Sequence, residues 1–348
     1  MNRLKRVVIL VAFLFPLVVY GQAKVGTAGV QFLKVGVSAR AIGMGSFTAV
    51  ADDASALYFN PSGLVQLTMP EGTFSYIQYP AELKFINIGG VFPLVLSDTP
   101  DGVITGSIIG IQITSLFSDD MIETTPGNPY GTGRTFSASD LSAGVTYSQR
   151  LTKNFSVGAT VKFLNERLAD KSAFGWGADV GTFYTTGWRR INIGMVIQNF
   201  GPDMDFERSP FPLPISFRFG ASMIAWESGP YQLLLAGEFV HPNDNLEEYV
   251  FGAELNVMKM ISFRLGRKTN AWQRATWEEY QEDREKDPFV EYPLMDEDGV
   301  PSLDGVSFGL GLQLPEVGLT MDYAWAGLGT LGPVHRFTLG YKLSGIFH

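Results

Sequence analysis

From residue 71 onward the chain alternates apolar and polar side chains with a period of two, many times over. In "NFSVGATVKF", Phe155, Val157, Ala159, Val161 and Phe163 share one face, and Ser156, Gly158, Thr160 and Lys162 the other. "LPISFRFGASM" sets Ile215, Phe217, Phe219, Ala221 and Met223 against Ser216, Arg218, Gly220 and Ser222. "VSFGLGLQL" and "RFTLGYKLSGIF" repeat the pattern near the C-terminus. This period belongs to a strand with one apolar and one polar face. Fourteen such strands can be placed, beginning near residues 73, 83, 103, 136, 155, 174, 190, 214, 231, 248, 260, 305, 317 and 334.

Alternating strands suit either a soluble sandwich with a buried apolar face or an outer-membrane barrel with that face toward lipid. Three features favour the barrel. Connections alternate short and long: 151–154, 187–190, 227–230, 257–260 and 315–318 are short, whereas 117–134, 200–213 and 269–304 are long. Short turns on one side and long loops on the other is the outer-membrane asymmetry, and an even strand count puts both termini on the periplasmic side. Trp188 and Trp226 sit at short turns, Trp176 and Trp325 near the opposite strand ends, and Trp272 and Trp277 in the longest loop, as indoles at two membrane interfaces would. Finally, Lys162, Asp179, Arg218, Glu238, Glu254, Arg264, Asp322 and Lys342 all fall opposite the apolar face. A lumen accommodates such charges, and four of each sign imply ion pairs in a largely filled interior.

Residues 1–23 read as a signal peptide. Arg3, Lys5 and Arg6 precede an apolar run over 7–19, and Gly21 and Ala23 suit cleavage before Lys24. The competing reading, an anchor helix, suffers because that run is shorter than the ~20 residues a span needs. Loss of three basic residues would take the formal charge from −9 to −12. Residues 270–304 hold eleven acids and three bases, an acidic loop suited to solvent or to docking a basic partner or divalent cations. Phe347, in phase with the last apolar face, resembles the C-terminal aromatic of outer-membrane barrels, although His348 follows.

Several chemistries are excluded or poorly supported. With no cysteine there are no disulfides, thiolate metal sites, cysteine nucleophiles or lipid-modified cysteine. The three histidines, His241, His335 and His348, are far apart and form no metal motif. "MDEDG" (295–299) lacks the ligand ladder of a calcium loop. "GLGTLG" (327–332) matches a dinucleotide fingerprint but lies between strands with no helix after it, and "GMGSFT" (43–48) lacks the third glycine. No catalytic residue, metal, cofactor or nucleic-acid partner is expected.

One N-terminal stretch remains, "AGVQFLKVGVSARAIGMGSFTAVADDASALYFNPSGLVQL" (28–67). Gly36 to Gly45, the run Ala51 to Ala56, and Asn60 to Leu64 resemble the N-terminal signature of the FadL/OmpP1 superfamily. "AGVQFLKVG" (28–36), "IQNFGP" (197–202), "LPISFRFGAS" (213–222) and "HRFTLGY" (335–341) resemble its PorV/PorQ family. Ser62 departs from the alanine common in the transporters. The resemblance implies an all-β, 14-stranded antiparallel FadL-like transmembrane β-barrel, residues 71–348. Residues 24–70 would fold into its lumen as a plug. Arg40, Gly43, Gly45, Asp52, Asp53, Asn60 and Pro61 would anchor or gate that plug, with Arg40, Asp52 and Asp53 facing wall charges of opposite sign. The small residues suit close packing inside a barrel, and Asn60-Pro61 a turn.

The same resemblance implies a non-enzymatic outer-membrane component of a type IX secretion apparatus. Its partners would be outer-membrane lipid and a large translocon barrel or cargo with a C-terminal sorting domain. The alternative is a FadL-like channel for hydrophobic small molecules such as fatty acids. An outer-membrane enzyme is the weakest reading.

Overall fold

The computed structural model describes residues 26–45, 47–98, 104–188, 190–206, 209–270, 303, 305–328 and 332–343, with backbone alone at 95–98, 104, 105 and 270. The signal-peptide reading, most of the acidic loop, Trp272, Trp277, Phe347 and His348 lie outside the described residues.

Fourteen strands close into one antiparallel barrel. In chain order they are β1 (Glu71–Gln78), β2 (Lys84–Asp98), β3 (Ile104–Phe117), β4 (Ala138–Arg150) and β5 (Phe155–Leu168). Next come β6 (Lys171–Thr185), β7 (Asn192–Phe200), β8 (Ser216–Ser228), β9 (Tyr231–Pro242) and β10 (Glu248–Val257). The last are β11 (Ile261–Asn270), β12 (Val306–Leu314), β13 (Leu319–Gly327) and β14 (Pro333–Lys342). Each begins within three residues of the start that alternation assigns. Every strand pairs with its sequence neighbours, and β1 also pairs with β14, from Glu71 opposite Lys342 to Gln78 opposite His335.

The barrel inverts the soluble arrangement. Val161 is 60% exposed, whereas its neighbours Thr160 and Lys162 are 0% and 4% exposed. Phe74, Ile111, Tyr147, Met195, Phe251, Phe263 and Leu310 point outward in the same way, while Ser75, Gln112, Ser148, Ser222 and Asn87 are buried. So extensive an apolar exterior is tolerated only in an apolar surround, and a closed barrel leaves no strand edge unpaired there.

The short connections 151–154, 186–191, 229–230, 258–260 and 315–318 gather at one end. The long ones, 118–137 and 201–215, gather at the other, each containing a small two-stranded ribbon. The expectation of strict alternation needs correction: 79–83, 169–170 and 243–247 are short yet lie at the long-loop end. Tight turns occur at both ends, and only the extended loops mark the side. Trp188 and Trp226 lie toward the short-turn end and Trp176 and Trp325 toward the other.

One wall irregularity explains two of the lumen charges. The β6–β7 register slips between Ala178 and Val180, leaving Asn199 at φ 60 as an extra residue. Asparagine tolerates this left-handed conformation and a bulge accommodates it. The freed Asn199 N–H donates to Asp179 Oδ1 at 2.8 Å. Lys162 Nζ then closes the cluster, 2.8 Å from Asp179 Oδ2 and 2.7 Å from Asn199 Oδ1.

Placing a charge on the outward face tests its lipid contact. Val161→Arg, mid-strand on β5, is expected to lower the stability of protein refolded into lipid vesicles by about 2–4 kcal/mol, read from urea titration. No loss would argue against burial of that face in the hydrocarbon.

Candidate functional site

Residues 26–70 run through the space the strands enclose. Gly26 N–H donates to Asp244 O and Gly29 N–H to Pro212 O, both on connections of the long-loop end. Pro70 O accepts from Leu343 N at the opposite end, where β1 starts and β14 finishes. The barrel strands thus begin and end together at the short-turn side, but residue 26 sits at the other side. The expectation that places both termini on the short-turn side therefore holds for the barrel strands and not for the described chain.

The wall holds this segment mainly by its backbone. Glu238 Oε2 accepts from the N–H groups of Phe47 and Thr48, both at 3.1 Å. Thr338 Oγ1 accepts from Ala39 N at 2.9 Å, and Glu71 Oε1 from Ala54 N at 2.9 Å. In the other direction, Gln198 donates to Tyr58 O, Ser222 to Ala49 O, Ser156 to Ser62 O and Arg150 to Val65 O. Inward glycines let the two backbones touch. A β-carbon on Gly252 would lie 1.8 Å from Met44 O, and one on Gly194 2.2 Å from Thr48 O.

Local sequence shapes the segment. Ser38 caps the helix Ala39–Met44, its Oγ accepting from Ala41 N at 3.3 Å. Gly45 ends that helix at φ 77, a conformation that suits glycine. Asn60 caps the 3-10 turn Pro61–Gln66, with Pro61 at its first position, where a missing N–H costs nothing. Asn60 also donates to Thr48 O at 2.9 Å and to Thr182 O on β6 at 3.3 Å. Pro61 O accepts from Ser148 on β4. Gly43 lies against the wall: a β-carbon there would sit 2.8 Å from Gly309 Cα.

Arg40 is the electrostatic centre. Its Nε and Nη2 grip both Glu254 oxygens on β10, each at 3.0 Å, the bidentate geometry that makes such pairs strong. Its Nη1 reaches Asp52 at 2.5 Å and Asp53 at 3.0 Å. Glu254 in turn holds Arg264 Nε at 2.6 Å, and Arg264 pairs with Asp322 on β13. Burial opposes the charge on Arg40, but Asp52, Glu254 and Asp53 outweigh it and hold the guanidinium ionised above its ordinary range. The expectation that Asp52 and Asp53 face wall cations is not met. Both bind Arg40 within their own segment, and Asp53 also accepts from Ser55.

The remaining charges sort by partner. Arg218 pairs with Glu238 at 2.9 Å, and the Lys162–Asp179 pair braces the bulge. Lys342 is half-exposed at the short-turn end, 3.8 Å from Glu71. Inward charges outside the set that alternation singles out include Arg150, which donates to Val65 O, Glu166, which accepts from Val30 N, and two more. Glu71 opens β1, where the pattern has barely begun. Arg336 is in phase with Thr338 and opposite Phe337, a signal present in "HRFTLGY".

Two cavities flank the helix Ala39–Met44. One, of about 280 Å³, lies toward the long-loop end and is bordered by Val35, Ile42, Gly45, Tyr79, Val306 and Leu328. The other, of about 270 Å³, lies toward the short-turn end and is bordered by Ser38, Arg40, Asp52, Glu71, Asp322 and Lys342. The first is mixed apolar and cationic, the second strongly polar. A six-residue helix presents Ile42 to one cavity and Arg40 to the other.

With this geometry in view, comparison with solved structures is informative. The Pseudomonas putida toluene transporter TodX aligns over 88% of this chain and 96% of its own, with a TM-score of 0.54 at 11% identity. The fold is the TodX fold. A TodX deltaS2S3 mutant, described as a monoaromatic hydrocarbon channel, aligns over 88% of this chain and 97% of its own, with a TM-score of 0.52 at 11% identity. No family model and no curated protein matches the chain. At such identity the likeness is one of fold.

Two substitutions probe how the segment is held. Arg40→Ala leaves Glu254 buried with its second cation only, and is expected to cost about 3–5 kcal/mol in urea unfolding, with Arg40→Lys losing less. Gly252→Val drives a side chain into the Met44 carbonyl. It is expected to raise single-channel conductance in planar bilayers above wild type, and unchanged conductance would mean that residues 26–67 do not obstruct the lumen.

Proposed function

We propose that this chain is an outer-membrane channel for small hydrophobic molecules, with residues 26–67 as its hatch. The observation that carries the reading is the pair of cavities separated by a single six-residue helix. A solute entering from the long loops meets a cavity where Val35, Ile42, Tyr79, Val306 and Leu328 offer an apolar part suited to an oily guest, beside Lys34, Lys268 and Arg336. The helix Ala39–Met44 borders both this cavity, through Ile42, and the polar cavity beyond, through Arg40. The fold shared with a toluene transporter supports the same reading by analogy.

In this reading the long-loop end faces outward and the short turns face the periplasm, the usual arrangement of outer-membrane barrels. The Arg40 network is the latch. It ties the helix to β10 and, through Arg264, to β13. A solute passes when helix and wall part there, and the wall glycines make that contact shallow enough to slide. None of these roles is enzymatic.

A second reading is a component of a type IX secretion apparatus, with a large translocon barrel or sorting-domain cargo as partner. The stretch "AGVQFLKVG" and the density of bonds holding residues 26–67 favour it. It needs a hatch that stays shut.

Cells provide the first test. Toluene uptake is expected to fall on deletion of the gene, with cargo carrying a C-terminal sorting domain secreted as before. Normal uptake with that cargo stranded in the periplasm would overturn the channel reading in favour of the second. Hatch movement is tested by Ala49→Cys with Gly220→Cys, in a chain with no other cysteine. A β-carbon on Gly220 lies 3.3 Å from Ala49 Cβ, close to disulfide spacing. Oxidation is expected to stop uptake and reduction to restore it; uptake indifferent to oxidation would exclude a moving hatch.

A further inference from the structure

Arg336 is buried, 3% exposed, on the inner face of β14. Its Nε donates to Gly36 O at 3.3 Å, while its Nη1 is buried with no hydrogen-bond partner. Among the described residues no carboxylate lies within ion-pair distance of it. The other buried wall cations are compensated: Lys162 has Asp179, and Arg264 has Glu254 and Asp322. A buried cation without a counter-charge is costly, and a donor left unpaired adds to the cost. The wall therefore carries an unanswered demand for an anion at one place.

That place borders the cavity of about 280 Å³ at the long-loop end. Arg336, Lys34 and Lys268 line it, and among the described residues no Asp or Glu does. Lys34 is occupied by Asp244 and Lys268 by Glu248, so Arg336 is the member of the three with an open donor. The apolar part of the lining is Val35, Ile42, Val306, Ala326 and Leu328. An inorganic anion would satisfy Arg336 and leave those side chains idle. A neutral hydrocarbon would fill the apolar part and leave Arg336 bare. The volume sits at the lower end of the ~300–1,000 Å³ common for ligand sites, which limits the guest's size.

We propose that this cavity is a binding site for a compact monocarboxylate, a small aromatic or short aliphatic acid, whose carboxylate pairs with Arg336 and whose apolar body lies against Ile42 and Val306. The site rests on the channel reading in so far as its occupant is a molecule carried, and it adds compact organic anions to the hydrophobic molecules that reading admits. Because Ile42 belongs to the helix between the cavities and Gly36 O is bonded to Arg336, a bound acid touches the hatch directly. A carboxylate that draws Arg336 away from Gly36 O loosens the strand of residues leading into the helix.

The experiment uses the full chain, refolded in a non-ionic detergent, and benzoate as probe with toluene as its uncharged counterpart. Calorimetric titration is expected to show saturable benzoate binding, weakened about tenfold or more by Arg336→Gln and largely retained by Arg336→Lys, as for loss of a charge-assisted hydrogen bond. Toluene binding should be equal in wild type and Arg336→Gln. Absence of benzoate binding, equal benzoate affinity in Arg336→Gln, or displacement of benzoate by equimolar chloride would each overturn the proposal. Folding is verified by heat-modifiable gel mobility. If Arg336→Gln does not fold, Ala326→Phe keeps the arginine and fills the cavity, and undiminished benzoate binding there would be equally fatal. Toluene uptake by cells with no benzoate binding would sink this site and leave the channel standing. Benzoate binding without uptake of either compound would do the reverse.

Discussion

Everything in this molecule follows from one requirement: a sheet surrounded by apolar medium cannot leave an edge unpaired. β1 meets it by pairing along its whole length with β2 on one side and β14 on the other. Once the sheet is closed, a period of two assigns each side chain to one of two surroundings. Outward positions take Val161, Phe263 and their like, and inward positions take Thr160, Arg264 and theirs. Closure thus creates a polar inner surface that needs hydrogen-bond partners of its own.

Residues 26–70 supply them. The segment is short of regular structure, so many of its N–H and C=O groups are free to bond outward. Glu238, Thr338, Gln198, Ser222 and Ser156 take them up one by one. The arrangement is the reverse of an ordinary core, where side chains interlock around paired backbones. Here wall side chains bond the backbone of the enclosed segment, and the wall glycines allow the approach. Arg40 and Arg264 add a chain of alternating charges in which Glu254 is shared by both. Removing any one member strands another, so the network is held as a unit.

The strands were legible because alternation is a local property. "NFSVGATVKF" needs no knowledge of the rest of the chain to declare its two faces. The inward direction of Lys162, Glu254 and Asp322 follows from the same parity. Partnership does not. Arg40 meets Glu254 across 214 positions, and nothing at residue 40 specifies β10 rather than another acidic strand. Asp52 and Asp53 bond back to Arg40 because the segment folds on itself before it reaches the wall. Gly252 and Gly194 look in sequence like any other inward small residue, yet each marks a contact with the hatch. The bulge at Asn199 inverts the parity beyond it, so that Phe200 points outward with Met195 and Ile197, and its trace in the sequence is the adjacent pair Gln198 and Asn199, both buried.

The bonds to Ser148 on β4 and to Thr338 on β14 carry a consequence for assembly. Together with the bonds to Gln198 on β7 and Glu238 on β9, they anchor stretches of the segment to strands around the barrel. The segment precedes all of them in the chain. Its docking surface does not exist until strands nearly two hundred residues apart belong to one closed sheet. Contacts of such long sequence separation form late and slowly. The first described residues must therefore wait, unpaired, for the last strand to arrive.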